Sequence, residues 1–390
     1  MASMPTVLIV GGGVLGLSTA LELLDLGVNE ISVLEGRHPG GGSSGLSVGM
    51  VETQYFDAAD IEARVFGRRF YDRMARDLGL TFTASGYLRL GSTQADLDVF
   101  ESSRLIQSGF GVEDAEVISA QEISSRWPEL VTEDRAGGLF GASDGYIDGY
   151  EYCMLASRLL AERGATVVSN AEVSAADIRA DGQWQLKTAK GTFVADMVVN
   201  AAGPWAGRIG DLLGAPVPLH PQLHGALTVD LRRPLVGTLP FVMDYVPDSG
   251  TDGVYFRSER PDQLIAGLHT DEGVHAAVSP DVRLGRVSVD DIERVSVLMA
   301  ERLHIVDDLS VSGSWQGIYP MSPDHRPIVG RHPSQPSVVC ALGAGGSGIQ
   351  LAPAVGRLAA ESLVDATASF GWHRNWSPNR ISPNLSATPS

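Results

Sequence analysis

Cysteine and lysine are the scarcest reactive residues of this 390-residue chain, with two of each. Cys153 and Cys340 lie far apart and outside any CxxC pattern, which excludes a disulfide scaffold, a cysteine-ligated iron–sulfur cluster and a structural zinc finger. Lys187 and Lys190 are the only lysines, so arginine carries nearly all the positive charge. That charge is itself short: 29 Lys and Arg face 47 Asp and Glu, a formal net charge of -18. A chain this acidic is a poor partner for nucleic-acid backbones and for anionic membranes. No apolar run approaches the roughly 20 residues of a membrane helix. The longest candidates are broken by Glu22 and Asp25, or by Arg357 and Glu361. The first residues carry no targeting pattern, so the expectation is a cytoplasmic protein with unpaired cysteines and no metal site. Glycine, by contrast, is abundant at 45 residues, in keeping with a globular chain rich in backbone-lined turns.

The first of those turns carries chemistry. Val7 to Val10 reads as a buried strand, Gly11 to Gly13 as a turn, and Leu17, Ala20, Leu21 and Leu24 recur at helical spacing until Gly27. Ile31 to Leu34 is a second strand, tipped by Glu35. Gly11, Gly13 and Gly16 thus form a GxGxxG between strand and helix, with an acid 24 residues after the first glycine. A pyrophosphate needs this arrangement. Glycines let backbone approach it, the helix N-terminus at Gly13, Val14 and Leu15 offers amides, and Glu35 accepts from ribose hydroxyls. The GGGSSG run at 40–45 places Ser43 and Ser44 where hydroxyls and amides suit a further phosphate.

Beyond it, the pattern predicts a helix at 59–78, a strand at 87–90, a polar helical stretch through 96–127, a helix at 150–163 and a strand at 165–168. A hairpin at 184–194 leads into the strand that ends in NAAGPWA. Segments 223–231 and 253–269 alternate as antiparallel strands, and 289–303 reads as an amphipathic helix. Glycine-rich sequence returns at 343–348, after strand 338–342 and before a helix from Ile349 in whose first turn Pro353 fits. The last twenty residues, rich in Ser, Pro and Asn, read as an arm.

Taken together, these segments resemble, over nearly the whole chain, the FAD-dependent amine and amino-acid oxidoreductases of the D-amino-acid oxidase superfamily. The anchors are the GxGxxG with Glu35, the Ser43–Ser44 pair, NAAGPWA at 200–206, WQGIYPMSPDHRPIVG at 315–330 and GAGGSGIQLAPAVG at 343–356. The fourth of these, 315–330, is most similar to the sarcosine, dimethylglycine and proline dehydrogenase branch. The resemblance implies an α/β fold: a Rossmann-type FAD-binding domain at 1–84, 146–216 and 314–370, interrupted by an α+β substrate domain at 85–145 and 217–313 with an antiparallel sheet, and a tail at 371–390. It also implies that Val173, Ala202, Gly203 and Trp205 contact FAD. Amides around Gly346, Ser347, Gly348 and Ile349 would face the flavin pyrimidine edge, where charge gathers during reduction.

Departures from the pattern matter equally. Gly317 stands where some relatives carry a flavin-linking cysteine, so FAD is expected to be held non-covalently. Glu52 and Gln350 occupy the positions of a cationic carboxylate clamp. Glu52 suits a cationic or polyhydroxylated group there, or pairs with Arg64 or Arg68. The resemblance puts Tyr255, His269 and Tyr319 in the catalytic cavity, with His224, Arg257 and Trp315 as further substrate-site candidates. Arg257 is the residue able to restore a carboxylate clamp from another wall. Ile265 replaces the lysine that assists oxygen reduction in sarcosine-type oxidases. The expected reaction is oxidation of a C–N bond in a secondary amine or amino-acid-like substrate, with hydride passing to flavin N5, hydrolysis of the imine, and oxygen or an electron-transfer acceptor completing the cycle. A flavin enzyme for 2-hydroxy acids and a flavin-binding subunit of a larger dehydrogenase complex remain alternatives.

Overall fold

A computed structural model describes residues 4–246, 253–269 and 276–381. Two sheets organise the chain. The first has six strands in the order Ile328–His332, Gln335–Leu342, Met197–Asn200, Val7–Val10, Ile31–Leu34, Thr166–Val168. All neighbours are parallel except the edge pair Ile328–His332 and Gln335–Leu342. Its apolar strands are covered on both faces, as a parallel sheet requires. Helices Val14–Asp25, Gly149–Glu162 and Gly348–Leu363 pack on one face. The small antiparallel sheet Val173–Ile178, Trp184–Thr188, Gly191–Ala195 packs on the other.

Helices Val14–Asp25 and Gly348–Leu363 meet where Gly356 lies against Ser18, so closely that a Cβ on Gly356 would stand 2.7 Å from the Ser18 carbonyl carbon. Pro353 lies inside the second helix rather than in its first turn, because the helix already begins at Gly348. Its missing N–H leaves the Ile349 carbonyl without a helical donor, and the buried Tyr71 hydroxyl donates to that oxygen at 2.7 Å. The helix therefore continues through the proline.

Glu22 is buried in the same contact, 2.9 Å from Arg357 Nε. Burial pushes its carboxyl from the ordinary 4.5 up to about 7, against the pull of the Arg357 guanidinium. The folded state thus holds a proton that the unfolded chain releases, so the stabilisation is complete below pH 4.5 and is lost as pH rises through 7. Glu22→Gln should flatten the fall in stability across that window, read as the denaturation midpoint at pH 5 and pH 8.

The second sheet has eight strands in the order Leu309–Met321, His220–Leu231, Gln263–His269, Gly253–Arg260, Phe241–Asp244, Tyr87–Gly91, Gly137–Gly141, Ala115–Ser119. It is antiparallel apart from one parallel pair, Phe241–Asp244 with Tyr87–Gly91. Its two faces differ. Leu88, Val242, Val254, Phe256, Leu264 and Ala266 form an apolar core closed by Val295 and Met299 of helix Val289–Ala300. The alternate residues Tyr87, Arg89, Phe241, Tyr255, Arg257, Ile265, His269 and, farther along, His224 and Tyr319 give the opposite face its polar and aromatic character.

Some boundaries differ from expectation. Strand Leu309–Met321 pairs with His220–Leu231 along its length, which places 314–321 in the second sheet. The polar stretch 96–127 is helix Gln94–Gly109, strand Ala115–Ser119 and helix Ala120–Arg126, the short strand being an edge that sequence polarity disguises. Residues 371–381, expected as part of an arm, are docked: Trp376 is buried, Trp372 Nε1 donates to Glu62 at 2.6 Å and Arg380 pairs with Asp324. Cys153 and Cys340 are buried free thiols, and no helix among the described residues is long and apolar enough to cross a membrane.

Candidate active site

A groove enclosing about 1430 Å³, its open mouth included, runs along the carboxyl ends of the first sheet. Gly11, Gly13, Val14, Leu15, Glu35, Ser43, Ser44, Val173, Ala202, Gly203, Trp205, Gly346, Gly348, Ile349 and Tyr319 all line it. Gly16 does not, and serves packing instead: a Cβ there would lie 2.0 Å from the Gly11 carbonyl oxygen. Gly11 has φ 115°, and its Cβ would meet the Ala201 carbonyl oxygen at 2.3 Å. Glu35 is fixed by two backbone donors, Gly12 N–H and Arg37 N–H, each at 2.7 Å. Ser43 donates to the Ile318 carbonyl at 2.6 Å, while Ser44 Oγ accepts from Val14 N–H at 3.1 Å, so both hydroxyls also hold the loop in place.

Those features fit a dinucleotide. The glycines leave a cradle that a single methyl would fill, Glu35 stands at the ribose position of such sites, and Val173 lines the groove beside it. One closure that sequence reading missed comes from the second sheet's connections. Asp281 reaches the groove, accepts from Trp205 Nε1 at 2.8 Å and pairs with Arg208. Nothing in its local sequence distinguishes it from other surface acids.

At the other end of the groove the polar face of the eight-stranded sheet meets the serine loop. Trp315 Nε1 donates to the Leu46 carbonyl at 2.9 Å, and a Cβ on Gly317 would lie 3.6 Å from the Leu46 side chain. Val48 and Met50 pack on Tyr87, Phe241 and Tyr255. Tyr319 stacks on His224 with ring centroids 3.8 Å apart, and its edge lies over Gly346, where a Cβ would come within 2.6 Å of the ring. Tyr255 stacks on Phe241 and turns its hydroxyl over Gly267. Burial raises the Tyr255 pKa well above the ordinary phenol value, so this residue acts as a neutral hydroxyl. His269 ends its strand with its ring 4.5 Å from that of Tyr245.

Arg257 differs from its expected role, and Glu52 takes the second of its two expected ones. Arg257 is not poised as a replacement clamp: it is buried, donates to the Val48 and Ser258 carbonyls, pairs with Glu259 and lies over the Tyr146 ring at 3.6 Å. Backbone and neighbours engage its Nε and Nη1. Glu52 pairs with Arg64, the two side chains being 1% and 3% exposed. Burial opposes the Arg64 charge, but Glu52 and Asp60 outweigh it and raise its pKa.

The same corner holds Gln350. Its Oε1 accepts from the Glu52 backbone N–H at 3.2 Å, and Arg64 also donates to Ser347 Oγ at 3.3 Å. Glu52 Oε2, Gln350 Nε2 and Arg64 Nε are buried without a protein partner. Behind the 344–346 turn, Arg64 and Ser347 border a smaller polar cavity that includes Asp57, Asp60 and Asp324. Burial pushes Asp60 up to about 7, against the pull of Arg64. Among the described residues no cluster is suited to hold a metal ion.

Comparison with known proteins agrees with this geometry. The family described as DAO, FAD dependent oxidoreductase, matches residues 6–362. The human mitochondrial dimethylglycine dehydrogenase is 26% identical over 380 residues, an alignment covering 93% of this chain but 43% of that protein. The chain therefore spans less than half of that relative. Glycine oxidase of Geobacillus kaustophilus is 27% identical over 379 residues, covering 93% of this chain and 94% of the relative. The crystal structure of L-proline dehydrogenase from P. horikoshii superposes with a TM-score of 0.84 at 24% identity, covering 97% and 98% of the two chains, a likeness of fold.

Proposed function

Because the chain belongs to the DAO family of FAD dependent oxidoreductases, we propose that it oxidises a C–N bond of a secondary amine or amino-acid-like substrate, with FAD held non-covalently. The observation that carries this reading is the meeting of the dinucleotide groove with the polar face of the second sheet at Tyr319. When bound, FAD supplies the hydride acceptor. Gly11, Gly13, Glu35, Val173 and the Ala202–Trp205 turn would hold it, and amides around Gly346 to Ile349 would favour negative charge at its reacting end. Non-covalent binding is supported at Gly317, which has no side chain and packs on Leu46.

The residues of this chain do the rest. Tyr255 and Tyr319 orient the amine, Tyr255 as a neutral hydroxyl. His269, at the end of its strand, takes the ammonium proton, leaving the neutral amine that can lose hydride from its α-carbon. The two rings and the sheet exclude water until the imine leaves for hydrolysis. Ile265 stands on the polar face, beside Arg257 across the ladder, and offers no cation for oxygen reduction.

We therefore expect an acceptor other than oxygen. The test is steady-state turnover of the holoenzyme with a secondary amine, either in air or with a phenazine dye. The expected result is a carbonyl product formed at least tenfold faster with the dye. Equal rates with stoichiometric peroxide would overturn the acceptor assignment, and dye reduction by 2-hydroxy acids alone would overturn the C–N reading.

A further inference from the structure

The dinucleotide groove is crossed at one point by a side chain. One end of the Trp205 ring reaches the glycine-rich serine loop, where a Cβ on Gly42 would lie 3.9 Å from it, and the Arg37 guanidinium lies over the ring at 5.5 Å. At the other end the indole Nε1–H donates to Asp281 Oδ1 at 2.8 Å. Arg37, Gly42, Trp205, Arg208 and Asp281 all line the groove. The ring therefore spans from the loop after strand Ile31–Leu34 to a segment that belongs to the second sheet.

That segment, 276–288, is a strap with two anchors and a tip. Ala277 bridges Gln222, and Val278 N–H donates to the Pro221 carbonyl at 2.7 Å, both on the strand whose Gln222 pairs with Tyr319. At the far end Gly285 N–H donates to Gln316 Oε1 and Val287 N–H to Ser314 Oγ, each at 3.1 Å. The buried Val287 side chain sits where a Cβ on Gly225 would come within 2.6 Å of it. Between the anchors none of residues 279–286 is buried, so packing does not hold the tip. The tip is instead a preformed turn. Val282 N–H donates to the Ser279 carbonyl at 3.0 Å, Pro280 presets the backbone, and Ser279 Oγ accepts from Asp281 N–H at 3.2 Å.

Asp281 gives one carboxylate oxygen to Trp205 and the other to Arg208. Arg208, and after it Trp205, holds the Asp281 carboxyl below the ordinary aspartate value, so the pair stays charged at neutral pH. Both side chains of the pair are about half exposed, and such a pair adds little to folding stability. Its geometry serves the groove.

We propose that Asp281 is a positioning residue for cofactor retention: it latches Trp205 across the groove, and opening of this latch gates both the exit and the entry of FAD. The proposal concerns the FAD site alone and is independent of which substrate is oxidised.

Asp281→Ala removes both contacts, whereas Asp281→Asn keeps an acceptor for the indole and loses the ion pair. Release is followed as the gain of free-flavin fluorescence after dilution of the holoenzyme, and capture as its quenching when apoprotein is mixed with FAD. In Asp281→Ala both rates are expected to rise about tenfold, the scale of a hydrogen bond to a charged group, so that Kd moves less than either rate. In Asp281→Asn the rise is expected to be about threefold, the scale of an exposed ion pair. The urea midpoint of the apoprotein should not change. Faster release with unchanged capture would make Asp281 an ordinary affinity contact, and faster release with a lower apoprotein midpoint would make it a structural one. Either result overturns the latch, as does unaltered release in Asp281→Ala.

Discussion

Gly11→Ala should yield a protein that purifies without FAD. At φ 115° an L side chain is strained, by about 1–2 kcal/mol on the scale of left-handed backbone. The added methyl would also stand 2.3 Å from the Ala201 carbonyl oxygen, which must then shift. Ala201 opens the turn through Ala202 and Gly203 on the opposite wall of the groove, so its displacement disturbs both sides of the cofactor site at once. Overpacking of this kind costs about 1–3 kcal/mol more. Together the terms predict a rise in FAD Kd of about 100-fold or more. Gly16→Ala reaches the same outcome indirectly, through the Gly11 carbonyl at 2.0 Å. Absorbance near 450 nm per protein, with far-UV circular dichroism to confirm folding, reads both variants. Full FAD content in Gly11→Ala would contradict the cradle described here.

Arg64→Leu should be the most destabilising single change at the substrate end. It leaves Glu52 charged, buried and unpaired, and loss of one partner from a buried ion pair costs about 3–5 kcal/mol. That is a large part of a total stability of about 5–15 kcal/mol. The double variant Arg64→Leu with Glu52→Leu removes both charges and is expected to recover most of the loss. Urea denaturation of the apoprotein separates this effect from cofactor binding. If the single and double variants are equally destabilised, the pair is not the source of the stability.

The sequence displayed most of the groove's lining, because close backbone approach shapes it. Glycines forced by close approach, and an acid at the strand tip, appear as residue types at fixed spacing. Gly11, Gly16 and Glu35 could be named by type and spacing; the contacts show Gly11 and Gly16 in close approach to backbone and Glu35 accepting from the Gly12 and Arg37 amides. The substrate half was legible only as a set of candidates. Glu52 and Arg64 are separated by twelve residues and a helix start, and their pairing depends on how helix Ala58–Leu78 crosses the turn before Gly348. Gly67 governs that crossing, since a Cβ there would lie 2.1 Å from the Gln350 carbonyl oxygen, yet a lone helical glycine reveals nothing of its neighbour. Arg257 misled for a related reason: strand alternation gave its face, but not the carbonyls that occupy its guanidinium. Asp281 and the docked 371–381 segment depend on long-range contacts that leave no local pattern.

The scarcity of lysine takes on meaning from position. Lys187 and Lys190 lie on the small three-stranded sheet or its turn, away from the polar face of the eight-stranded sheet. The cations near the reaction site are arginines already engaged, and Ile265 adds none. Among the described residues Arg64 and Arg257 are paired with Glu52 and Glu259, while Arg89 on the polar face donates to the Tyr245 carbonyl and the Tyr87 hydroxyl.

The central claim is that FAD bound in this groove is reduced by amines. Its most direct test is anaerobic mixing of the holoenzyme with matched secondary amines, amino acids, amino amides and 2-hydroxy acids, following loss of absorbance near 450 nm. Complete bleaching by one or more amines, with none by the hydroxy acids, is the predicted result. Bleaching by a hydroxy acid alone would contradict the account.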